Sequence, residues 1–90
     1  MLVRNYTGSS RWTAPQGYSS WLSYWEAMTG KRATLCGKIG CFGTDLVGAH
    51  VQKVNSTDKH VYITPLCRSC NGLSGSFEVS SQLVPVPSNL

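Results

Sequence analysis

Between Ser20 and Gly30 the apolar side chains fall at helical spacing: Trp21, Tyr24, Trp25 and Met28 occupy positions i, i+3, i+4 and i+7, one stripe of an amphipathic helix. Ser19 or Ser20 is placed to cap its start and Gly30 to end it, with Lys31 and Arg32 at its negative end. Further on the pattern changes. Leu46 to Val51 and Val61 to Thr64 carry the β-branched and aromatic content of strands, separated by turn residues at Asn55 to Asp58, and together they predict a β-hairpin. Pro65 is expected to close the second strand. A short helix should then begin across Cys67 to Asn71, kept short by Gly72 and Gly75. Phe77 to Val79 and Leu83 to Val84 read as an extended return, and Pro85 and Pro87 confine the tail to an edge or a coil.

This pattern divides the chain into an irregular N-terminal arm over residues 1–19, a single domain over 20–84, and a C-terminal tail over 85–90. The arm is rich in Ser, Gly, Thr and Arg and is interrupted by Pro15 and Gly17, with Trp12 as a candidate anchor. A chain of 90 residues makes one modest core, for which an added staple matters. The opening residues contain no apolar run of the kind that forms a signal peptide, and nowhere is there an apolar stretch of about 18 residues. The expected setting is therefore cytoplasmic, with no membrane partner.

The four cysteines supply the staple. They are spaced Cys36-x4-Cys41 and Cys67-x2-Cys70, two knuckles of the kind that hold structural zinc in a tetrahedron of thiolates. Two disulfides are the rival reading, disfavoured by a reducing compartment. Replacement of one cysteine by His50 or His60 is a further alternative. The formal charge of +4 invites a polyanionic partner. However, four thiolates around one Zn2+ carry two net negative charges and would leave about +2, which is ordinary for a small domain. Lys31, Arg32 and Lys38 surround the first knuckle, Arg68 lies in the second, and Lys53 and Lys59 flank the hairpin loop. A phosphate-binding face and an ordinary solvated surface are both consistent with that distribution.

A cysteine knuckle, a β-hairpin, and a helix whose first turn carries the second cysteine pair form an order that resembles the treble-clef (ββα-type) zinc fold, in particular the HNH family of endonucleases. The resemblance covers Cys36 to Asn71. Its most specific parts are Pro65-Leu66-Cys67-Arg68-Ser69-Cys70-Asn71 and, upstream, Ala49-His50-Val51 in the place of an aspartate-histidine-isoleucine segment. It implies a small α+β domain in which Cys36, Cys41, Cys67 and Cys70 hold a structural zinc. It also implies that His50 is the general base activating water against a phosphodiester and that Asn71 binds a divalent cation such as Mg2+. Two departures from the family stand out. Ala49 occupies the position of an acidic or histidine metal ligand, and Tyr62 stands where an asparagine fixes the loop that carries the histidine.

These residues leave two function classes open. One is a metal-dependent endonuclease of HNH type acting on DNA or RNA, with His50 as base, Asn71 as metal ligand, and Arg68 or Lys53 on phosphate. The other is a non-catalytic zinc module that binds nucleic acid or a protein partner, in which His50 and Asn71 are structural.

Overall fold

A computed structural model describes residues 1–87 of the chain; residues 88–90 of the expected tail lie outside the described residues. The expected hairpin is its centre. Strand β2 (Leu46–Lys53) pairs antiparallel with β3 (Tyr62–Cys67), from Leu46 opposite Cys67 to Val51 opposite Tyr62. Strand β1 (Leu2–Asn5) adds to the other edge of β2, β4 (Ser76–Glu78) adds to β1, and the two-residue β5 (Val84–Pro85) adds to β3. The result is a five-stranded antiparallel sheet in the order β4-β1-β2-β3-β5. With helix α1 (Trp21–Thr29) and the one-turn helix α2 (Arg68–Asn71), the domain is small, compact and α+β.

The sheet divides the core in two because successive strand residues point to opposite faces. Ala49 and Val51 join Val3, Leu66, Phe77 and Val79 in a cluster that includes Cys36, Cys67 and Cys70. Ile63 and Val84 join Trp21 and Trp25 of α1 in the other. Strand β3 is buried from Ile63 to Cys67, so its run of apolar residues reflects cover on both faces.

Helix α1 is capped as its sequence predicts. Ser20 takes the N-cap, with the Ser23 backbone N–H donating to Ser20 Oγ and the Ser20 N–H donating to Ser23 Oγ, both at 3.1 Å. Gly30 ends it in the left-handed conformation, φ 68°, donating to the Glu26 carbonyl. The indole of Trp25 is fixed by donation to the Gln82 carbonyl at 2.7 Å. Met28, assigned to the apolar stripe, is instead 49 % exposed; the residues the helix buries are Trp21 and Trp25.

Two expectations need correction. The first residues of the arm are not irregular: Leu2–Asn5 form a strand whose Val3 is fully buried, and their partners, Lys53 and Phe77, are so distant in sequence that no local pattern announces the pairing. Residues 6–19 carry neither helix nor strand. Nor does Pro65 close β3, which runs through it to Cys67. The Pro65 carbonyl faces away from β2 and accepts from the Gly37 N–H at 2.8 Å. Its nitrogen points the same way, so the missing donor costs no bond to β2.

Candidate metal centre and adjoining cleft

The second cysteine pair is positioned by the end of β3 (Cys67) and by α2 (Cys70), the first by a tight loop beside them. Within that loop the Cys36 N–H donates to the Gly43 carbonyl at 2.9 Å and the Cys41 N–H to the Lys38 carbonyl at 3.1 Å. The Ile39 N–H reaches the Glu78 carbonyl and the Ser80 N–H the Gly37 carbonyl, tying the loop to β4 and the segment after it. Both knuckles are thus fastened to the sheet.

The four sulfurs lie within 4.8 Å of one another, with Cys41 to Cys67 at 3.8 Å and Cys41 to Cys70 at 3.7 Å. Sulfurs held tetrahedrally about 2.3 Å from a zinc ion stand about 3.8 Å apart, so these residues fit that ion, and all four cysteines are free. Such a set could hold a metal ion such as zinc. Burial pushes the Cys36 thiol up, against the pull of the Cys67 and Lys38 backbone N–H groups. Burial, and then the neighbouring thiols, push Cys70 strongly up. The Gly43 N–H, followed by the Cys70 thiol, draws Cys41 down. The Cys36 and Cys70 thiols therefore ionise with difficulty unless a cation supplies the charge, as a divalent metal would.

His50 and Asn71 border a second feature, a cleft of about 610 Å³ whose walls also include Asn5, Tyr6, Trp12 and Trp21. The His50 imidazole packs at right angles to Trp21, centroids 4.9 Å apart, and to Trp12 at 5.5 Å. Burial between the indoles lowers its pKa below the ordinary value, and its Nε2 is buried with no hydrogen-bond partner. Neighbouring Ala49 packs into the cluster that contains Cys70, on the other face of the strand, and is 2 % exposed. Asn71 is exposed at the end of α2. No Asp or Glu lines the cleft among the described residues.

The other sequence candidates lie elsewhere. Asp58 is the hub of the hairpin loop: it accepts from the Tyr62 hydroxyl, from the backbone N–H of His60, and pairs with His60 Nδ1 at 2.9 Å and Lys53 Nζ at 3.3 Å. Tyr62 therefore fastens the hairpin loop through Asp58 and not the segment that carries His50, which lies within β2, while His60 stays exposed and outside the cysteine cluster. Lys53 is engaged there too, with its ammonium also 4.8 Å from the Tyr62 ring. Lys31, Arg32 and Arg68 are exposed around the knuckles and Lys38 partly so, and none forms an ion pair among the described residues.

Asn5 carries a supporting role that its sequence context does not signal. Its Nδ2 donates to the carbonyls of Cys70 at 3.0 Å and Leu73 at 2.9 Å, so β1 holds the end of α2 on both sides of Asn71. No spacing rule marks an asparagine so far from its partners.

Among the described residues, no helix is long and apolar enough to cross a membrane. No protein-family model, curated protein or solved structure matches the chain.

Proposed function

We propose that this chain is a zinc-stapled, HNH-like treble-clef module that binds nucleic acid, with zinc held by Cys36, Cys41, Cys67 and Cys70. The observation that carries binding is that Lys31, Arg32, Lys38 and Arg68, in or beside the two knuckles in sequence, form no ion pair among the described residues, with Arg32 and Lys38 bordering one groove. Such groups release counterions when they meet phosphates, which gives affinity without sequence preference. Free thiols in place of cystines suit a reducing compartment such as the cytoplasm.

The test is a fluorescence anisotropy titration of labelled DNA and RNA at several salt concentrations, with the zinc-loaded protein. Binding should weaken steeply as salt rises, by a log–log slope of about 0.7 to 0.9 for each phosphate contacted. Absence of binding at about 50 mM salt would refute the reading and favour a protein partner.

A second reading, phosphodiester cleavage, is favoured by one observation: a histidine kept neutral by burial at the border of a cleft that Asn71 shares. A neutral imidazole accepts a proton from attacking water near pH 7. Asn71 would hold the divalent cation, which supplies positive charge against the leaving oxygen. Against cleavage stand the absence of a carboxylate lining the cleft and the burial of Ala49. Nicking of supercoiled plasmid with Mg2+ or Mn2+ that His50→Ala abolishes would establish cleavage; intact plasmid beside bound plasmid would leave a binding module.

A further inference from the structure

The first cysteine knuckle presents an apolar tip that the core does not use. Phe42 is 80 % exposed, Ile39 57 % and Leu35 49 %, and all three border one shallow groove of about 530 Å³ together with Arg32 and Lys38. No Asp or Glu lines that groove among the described residues. Small soluble proteins rarely place three large apolar side chains together in water without a use for them. The tip is also stiff, because the loop is closed by the Cys36 to Gly43 and Cys41 to Lys38 backbone bonds and is fastened to Glu78 and Pro65. A stiff aromatic surface loses little conformational entropy when it is covered.

We propose that this tip is a base-stacking platform for unpaired nucleotides: Phe42, backed by Ile39 and Leu35, takes the face of an unstacked base while Arg32 and Lys38 hold the adjoining phosphates. The inference rests on the nucleic-acid reading above and extends it by naming the contact and the class of ligand. Charge complementarity selects the occupant. Cations alternating with apolar surface match a strand in which phosphates alternate with flat apolar bases. A duplex offers its phosphates but keeps the base faces stacked, and exposing one costs a few kcal/mol per step. Single strands or unpaired loops are therefore the preferred form.

The experiment compares the wild-type protein with Phe42→Ala, Phe42→Trp and Arg32→Ala. Each is titrated against a single-stranded oligonucleotide containing 2-aminopurine and against a duplex of the same length, with zinc content measured alongside. Wild type should prefer the single strand and quench 2-aminopurine on binding. Phe42→Ala should bind the single strand about 5- to 150-fold more weakly with zinc content unchanged, Phe42→Trp should retain affinity and quenching, and Arg32→Ala should reduce the salt slope. Phe42 is so exposed that its truncation leaves the fold in place. Salt-dependent binding that Phe42→Ala changes by less than twofold would overturn the platform and leave the nucleic-acid reading standing. Failure of wild type to bind either oligonucleotide, or binding of polyglutamate in their place, would overturn both.

Discussion

The side-chain amide of Asn5 donates to the Cys70 carbonyl at 3.0 Å, so a residue of the first strand holds the backbone of the last cysteine in the cluster. A second bond from the same nitrogen, to the Leu73 carbonyl, spans the turn that carries Asn71. The N-terminal strand is thereby part of the cysteine cluster's support rather than an appendage to it.

Replacing Asn5 with Ala should lower stability by about 1 to 3 kcal/mol, since two side-chain hydrogen bonds are lost, while the Cys70 carbonyl keeps the Leu73 N–H. Asn5→Asp should be worse, because it sets a carboxylate against both carbonyls. Denaturant unfolding checks the loss, and competition with a chelator should show weaker metal retention in both variants. Unchanged chelator competition would separate Asn5 from the cysteine cluster.

His50 should make the domain sensitive to mild acid. Its folded pKa lies below the ordinary value near 6.5, so the unfolded chain takes up the proton first. Stability is then full above about 6.5, falls as pH drops from there toward the lowered folded pKa, and levels off below it. His50→Phe, which keeps a ring between Trp12 and Trp21, should flatten that part of the profile. Thermal melts between about pH 7.5 and 5 make the comparison.

Asp58 acts in the same direction at lower pH. Hydrogen bonds from Tyr62 and from the His60 backbone and ring hold its carboxyl well below the usual carboxylate range. Its support of the hairpin loop is therefore present above about pH 4 and fades only as pH falls through the depressed value. Asp58→Asn and Tyr62→Phe should each speed amide exchange across residues 54–61 at neutral pH while leaving the cysteine cluster unchanged.

Gly48 marks where α1 rests on the sheet. A Cβ there would stand 2.6 Å from the Leu22 backbone nitrogen and 2.7 Å from the Trp21 carbonyl carbon. Gly48→Ala should displace the start of the helix and cost about 1 to 3 kcal/mol. Trp21 and His50 move with it, so a change in tryptophan fluorescence should accompany the loss.

The features legible in the sequence were local ones. The Trp21/Trp25 stripe, the Ser20 cap, the Gly30 stop and the β2–β3 hairpin rest on contacts within a few residues or on turn chemistry, and all are present. The cysteine cluster was legible from spacing alone. Hidden were the features made by distant pairing: β1 between β2 and β4, Asn5 on Cys70, and the run of β3 through Pro65, where only the outer position of the nitrogen makes proline harmless. His50 was legible as a strand residue, yet its packing between two indoles depends on Trp12, which lies in an irregular segment that no period describes. Asn71 and His50 are linked by the motif and do border one cleft, but Ala49 beside them turns to the opposite face of the strand.

Whether all four cysteines hold one zinc ion is decided by X-ray absorption at the zinc edge, joined to metal analysis of the reduced protein. One zinc per chain with four sulfur neighbours at about 2.3 Å is the predicted result, lost in step with far-UV structure on chelation. A fully folded, reduced protein without metal, or a shell with nitrogen in place of sulfur, would contradict it.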